Sequence, residues 1–270
     1  MLSPVFLASA APPFTECLTY NTRLYVGLHS VNILFANHQR SERPRMIFLL
    51  GSLKGGVGKT TLAFNLAITL SNSHRDVLLI DAEGSALELT ELRKNARGTA
   101  GYTAVKLEGA NIRTQTRQLA PKYSDIVIDI GGEDATGSLR AALTVADTVL
   151  VPVRPRTLDF WRTRQTAHLI TEAREVNETL RAIAVLNDAD PTGQDNQETL
   201  DALAEIPAYE LAPVILVQRK AFPNALAAGL SVIEYQKDPK ATEEMCRLFQ
   251  CLASSPVYHT DYERNANASR

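Results

Sequence analysis

Sulfur, aromatic rings and net charge are all scarce in this chain. Only three cysteines, Cys17, Cys246 and Cys251, stand among 270 residues. None falls in a CxxC pair, and the step from Cys246 to Cys251 does not keep both on one helical face. That excludes a disulfide-stapled secreted scaffold and leaves reduced thiols as the expectation. The five histidines are scattered, so no zinc-ligand spacing is visible. Basic and acidic residues number 28 and 30, so no global field draws the chain to nucleic acid and any such binding needs a local patch. No apolar run approaches the ~18 residues of a membrane-crossing helix. The opening "MLSPVFLASAAPP" lacks a basic n-region and its apolar stretch is broken, so the expectation is a cytoplasmic protein without a signal peptide.

What the chain does have is a regular alternation beginning at Met46. Residues 1–45 carry Pro, Asn and Ser breakers and no sustained periodicity, although "RLYVGLHSVNILF" fits a strand or a short helix. The expectation is that the native protein starts at Met46, with residues 1–45 an extension that is disordered or non-native. Beyond it, "MIFLLGS", "DVLLIDAE", "YTAVKL", "DIVIDIGG", "DTVLVPV", "RAIAVLND" and "APVILVQ" read as strands. Helical segments separate them, among them 59–72, 112–119, 136–146, 158–176 and 195–204. Near-continuous apolar strands divided by helices predict an α/β fold, a mostly parallel twisted sheet with helices on both faces. One domain over 46–253 and a polar tail over 254–270 are expected.

"MIFLLGSLKGGVGKTTLAFNLAITL" is strand, glycine-rich turn and helix, the context in which a phosphate-binding loop is believable. Gly55, Gly56 and Gly58, with Val57 between them, let the backbone N–H groups close on phosphates. Lys59 is expected to bridge the β- and γ-phosphates of ATP, Thr60 to ligate Mg²⁺, and Thr61 to meet the α-phosphate. A second acid station is "SDIVIDIGGED", where Ile126, Val127, Ile128 and Ile130 bracket Asp129. A carboxylate in an apolar strand needs a partner, and a hydrated Mg²⁺ suits it.

The loop departs from G-x-x-x-x-G-K-[ST], because the first glycine position holds Leu53 and Lys54 precedes the glycines. In "KGGVGKTT" it resembles the deviant phosphate loop of the ParA/MinD family of ATPases. The stretch "GGEDATGSLRAALTVADTVLVPVRPRTLDFW" is similar to the ParF-type branch of ParA proteins. The resemblance covers roughly Met46 to Leu252. It implies a P-loop NTPase domain that forms an ATP-sandwich homodimer, in which Lys54 reaches the partner's ATP. It also implies Asp81 supporting the magnesium shell, and Glu83, where the family usually has aspartate, orienting the attacking water. Helix capping or a solvated acidic turn are the alternatives for these two acids. Asn187 lies where several members hold the base, with loop capping as the other use.

Two basic clusters interrupt the neutral background: Arg154, Arg156, Arg162 and Arg164, and Arg219 with Lys220. The resemblance implies DNA binding without sequence preference by the ATP dimer and a centromere-binding adaptor that stimulates hydrolysis. It further implies nucleoid association and cargo that is a plasmid or chromosome. Arg219 and Lys220 are the expected DNA contacts, although both clusters could be merely solvated or serve the dimer seam. A MinD-like ATPase positioning itself on a membrane or protein assembly is the alternative. The last helix carries an apolar stripe of Met245, Leu248, Phe249 and Leu252, expected to pack in the core rather than on a membrane.

Overall fold

The computed structural model describes residues 45–131, 135–155, 160–193 and 195–253. The tail from 254 and the "RLYVGLHSVNILF" segment lie outside them, as do Gly132, Arg156 and the expected start of the 158–176 helix. Strands β1 (Met46–Gly51), β2 (Val77–Asp81), β3 (Thr103–Lys106), β4 (Asp125–Ile130), β5 (Thr148–Val153) and β6 (Arg181–Ala189) form the sheet, with two short pieces, β7 (Glu210–Leu211) and β8 (Leu216–Val217). Their order is β3-β2-β4-β1-β5-β6-β7, with β8 also on β6, and each pairing is parallel. The chain leaves β1 in one direction along the sheet and passes from β4 across β1 to β5 in the other. The carboxyl end of β1 is therefore a topological switch point, where open α/β sheets bind ligands.

Helices α1 (Lys59–Asn72) and α2 (Ser85–Arg97) cover one face, together with α7 (Ala221–Ala227), α8 (Val232–Tyr235) and α9 (Pro239–Ala253). The other face carries α3 (Asn111–Leu119), α4 (Thr136–Leu143), α5 (Phe160–Ala173) and α6 (Asp195–Ala204). Strand alternation divides the core accordingly. Ile126, Ile128 and Ile130 of β4 face the α3–α6 layer, and Val127 faces α1. In β2, Leu78 and Ile80 go one way, Val77 and Leu79 the other. By that parity Asp129 and Asp81 fall on the α1 face. Their strands pair with Asp81 directly opposite Asp129.

One expectation needs correction, and one helix goes unnamed in the sequence pattern. "APVILVQ" is not one strand: only Leu216–Val217 qualify, and the neighbouring Glu210–Leu211 form a separate piece on the same strand β6. Pro213 lies between them and has no N–H to give the ladder, so the edge breaks there. Helix α2 was not among the expected helices, and its acidic-basic sequence "SALELTELRKNAR" buries only Ala86, Thr90 and Arg93. Its hold on the domain is polar: Arg93 bonds the carbonyls of Ala100 and Gly229 and grips Glu234 through both terminal nitrogens, at 2.8 and 2.9 Å. The α9 stripe is core, with Met245, Leu248, Phe249 and Leu252 at most 1% exposed.

Candidate nucleotide site

The loop from β1 to α1 is held from outside. Leu53, where an ordinary loop has glycine, turns its side chain into the core. Its peptide is braced by α5: the N–H donates to Thr166 Oγ1 at 3.2 Å and the carbonyl accepts from Arg162 Nη1 at 3.0 Å. The Lys54 N–H donates to Ser52 Oγ at 3.2 Å, and the Lys54 carbonyl accepts from Lys59 Nζ at 2.6 Å. Glycine is required at 58, where φ is +95° and a Cβ would fall 2.3 Å from Asn187 Nδ2. As the N-cap of α1, Gly58 offers no side-chain acceptor. The first N–H groups of the helix are therefore available to an anion, at the positive end of its dipole.

Three carboxylates lie around this loop. Asp129 is 2% exposed and its Oδ1 has no hydrogen-bond partner. Burial pushes its carboxyl up to about 7, opposed by a hydrogen bond from Thr60 and by Lys59, and aided by Asp81 and Glu83. Burial also lowers the Lys59 ammonium below its ordinary value, with Asp129 and Glu83 acting against the shift. Asp81 is fully buried, and its Oδ1 accepts from the N–H groups of Glu83 and Gly84 at 2.9 and 2.8 Å. Its Oδ2 accepts from Leu87 N–H at 2.8 Å, so the carboxylate caps α2. The capping use set against a metal role at the outset is thus real, and what remains for a metal-bound water is the second lone pair of Oδ2, since Oδ1 already accepts two N–H groups. Glu83 stands exposed at the rim.

A magnesium ion fits these residues. Among the described residues no three His, Cys, Asp or Glu side chains converge as a metal cage. Mg²⁺ does not need one, since it keeps several waters and takes one or two carboxylates together with substrate phosphates. The orphaned Oδ1 of Asp129, beside the Thr60 hydroxyl, is the donor that such an ion would satisfy, and a divalent charge would relieve Asp129 of the like charges of Asp81 and Glu83.

The strain on Asp129 has a measurable sign. Its folded-state affinity for a proton exceeds the unfolded value of 3.8. The stability it contributes is complete below that pH and is lost as pH rises to about 7. In metal-free buffer Asp129→Asn should therefore be more stable than the parent at about pH 8, by up to about 4 kcal/mol, the two converging toward about pH 4. Urea unfolding at both pH values checks this; a variant less stable at the higher pH would contradict it.

The remaining expected residues are distributed unevenly. Gly55, Gly56, Val57 and Thr61 lie along the loop and first turn of α1. Asn187 donates through Nδ2 to the Val57 carbonyl at 2.7 Å, so here its amide supports the loop. Arg219 is drawn to α9, with Nη2 2.7 Å from Glu244 Oε1 and Nη1 3.7 Å from Asp238. Its neighbour Lys220 is exposed. In the other cluster, Arg154 pairs with Asp188 at 2.8 Å and Arg162 braces Leu53. The bracing role of Arg162 and Thr166 has one signal in the sequence, Leu53 itself, a bulky residue in a loop that must then be held by something else. Cys246 and Cys251 are not joined by a disulfide, and among the described residues no helix is long and apolar enough to cross a membrane.

Residues 48–232 match the model of the CobQ/CobB/MinD/ParA nucleotide binding domain. The chain is similar to the maintenance of carboxysome distribution protein A of Halothiobacillus neapolitanus, with 30% identity over 68% of this chain and 85% of that protein. It is 31% identical to the chromosome partitioning protein ParA of Myxococcus xanthus over 40% of this chain and 52% of that one. Its fold is that of apo McdA from Cyanothece, at a TM-score of 0.63 and 19% identity over 77% of this chain and 99% of that chain.

Proposed function

Because the chain belongs to the CobQ/CobB/MinD/ParA nucleotide-binding family, we propose that it is a Mg²⁺-dependent ATPase that closes as a homodimer over ATP and positions an intracellular cargo. In the ATP state the dimer binds DNA of any sequence, and an adaptor protein on the cargo stimulates hydrolysis and release. The observation that carries this reading is the loop itself: a lysine ahead of the glycines, an uncapped helix after them, and Lys59 of that helix near the orphaned buried carboxylate of Asp129. The cargo is read as a protein assembly. The relative named for carboxysome distribution is similar over 85% of its length, against 52% for the chromosome-partitioning ParA. That second similarity supports the other reading, in which the adaptor binds a centromere and the cargo is a plasmid or chromosome.

The chain's own residues divide the work. The N–H groups of Gly55 through Gly58 and of the first turn of α1 enclose the phosphates. Lys59 leaves the Lys54 carbonyl for the β- and γ-phosphate oxygens. Thr60, Asp129 and Asp81 would hold the metal, which would neutralise charge on the phosphates. Glu83 orients the attacking water. Lys54 crosses to the ATP of the second subunit, a cation supplied in trans. The Asn187 amide steadies the loop from beside the base.

Filter binding to random-sequence DNA tests the reading. Retention is expected with ATP and not with ADP, weakening as salt rises. Lys220→Ala should flatten the log K against log salt slope by about 2 per dimer, one phosphate contact in each subunit. Binding to anionic liposomes with no ATP-dependent retention of DNA would overturn the proposal in favour of a membrane-positioned ATPase.

A further inference from the structure

The carboxyl group of Glu83 lies directly over Gly131. A Cβ built on Gly131 would fall 2.0 Å from Glu83 Oε2, 2.3 Å from its Cδ and 2.9 Å from its Oε1, and these are the three nearest heavy atoms. Sheet register explains the encounter. Asp81 sits opposite Asp129, and the pairing runs one residue further, where the Ala82 N–H donates to the Asp129 carbonyl at 3.0 Å. Two residues beyond each aspartate, on the same face, come Glu83 and Gly131. Position 131 is not among the glycines of positive φ, so its backbone would accept alanine. What a methyl group meets there is the far end of one flexible side chain.

We propose that Gly131 is the positioning residue for Glu83. By bringing no Cβ, it lets a glutamate lay its carboxylate across the end of β4, where both Lys59 and Asp129 feel its charge. Length is shared between the two positions: a long acid faces a residue with no side chain. The inference rests on the reading of Glu83 as the group that orients water.

Gly131→Ala leaves the fold and the phosphate loop intact but forces the carboxylate back by about 1 Å, from 2.0 Å to at least 3.0 Å. A misplacement of that size costs on the order of 10- to 100-fold in rate. The expected result is a kcat lowered by that factor with an unchanged KM for ATP and an unchanged Tm. The deciding comparison is made in a Glu83→Asp background, in single turnovers so that slow variants still yield a rate. The shorter acid clears the new methyl, so Gly131→Ala should change the rate by less than about twofold there. An equal loss in both backgrounds would mean that Gly131 acts through chain flexibility, and would overturn the proposal. Parental turnover in Gly131→Ala, with Glu83→Ala slow, would also overturn it. Parental turnover in Glu83→Ala itself would instead remove the water-orienting role on which the proposal stands.

Discussion

A Lys54→Ala variant is expected to bind ATP as tightly as the parent and to hydrolyse it about 10³-fold more slowly. Affinity is expected to survive because the Lys54 main chain contributes backbone groups: its N–H on Ser52 and its carbonyl under Lys59. Alanine keeps both. Leu53, the residue before it, stays braced by Arg162 and Thr166. What the substitution removes is the side chain, and in the proposed dimer its ammonium serves the other subunit's phosphates. A cation delivered to the leaving phosphates in trans is worth about 10³–10⁵ in rate. Equilibrium binding of a fluorescent ATP analogue and single-turnover hydrolysis separate the two quantities. Normal hydrolysis would remove the trans role.

The second large effect is at Glu83. Glu83→Ala should let ATP bind and the dimer close but slow turnover by about 10²–10⁴-fold, the range for loss of a group that handles the attacking water's proton. The dimer then accumulates with ATP uncleaved, which sedimentation in the presence of ATP would detect. The two variants also test each other. In a mixed dimer, the Lys54→Ala subunit keeps its own Glu83 and receives Lys54 from its Glu83→Ala neighbour. Random assortment makes half the dimers mixed, each with one intact centre, so an equal mixture of two inactive proteins should recover about a quarter of parental turnover. If Lys54 worked within its own subunit, mixing would restore nothing.

How much of this could be read before the structure differs by the range of the interaction. Helices α1 and α6 begin and end where the sequence pattern put them, because their limits are set by neighbours in the chain: the glycine loop before Lys59 and the turn before Asp195. Asp129 was legible as a buried acid from its apolar bracket alone. The second job of Asp81 stood open, capping beside a metal role, because the helix it caps, α2, has little apolar periodicity to reveal it. Arg219 looked like a surface cation because its partners, Asp238 and Glu244, come a helix later in the chain. The approach of Glu83 to Gly131 joins residues in separate loops, and only the register of β2 on β4 brings them together. The break at Pro213 was visible in the letters, and the apolar run on either side of it outweighed the missing donor.

The rung shared by Asp81 and Asp129 sets what kinds of sequence change this protein can absorb. Between the two acids the chain runs through α2, β3 and α3, and the loops there can lengthen or shorten at small entropic cost. Within β4 no such freedom exists. One residue inserted ahead of Asp129 would turn the carboxylate from the α1 face to the α3–α6 layer and carry Ile128 or Ile130 into the site. Point substitutions at this site can be graded in effect, whereas an insertion in the strand is all or nothing. Lineages descended from this chain should therefore differ freely in loop length between Gly84 and Ser124, and not at all in the count from Asp125 to Asp129.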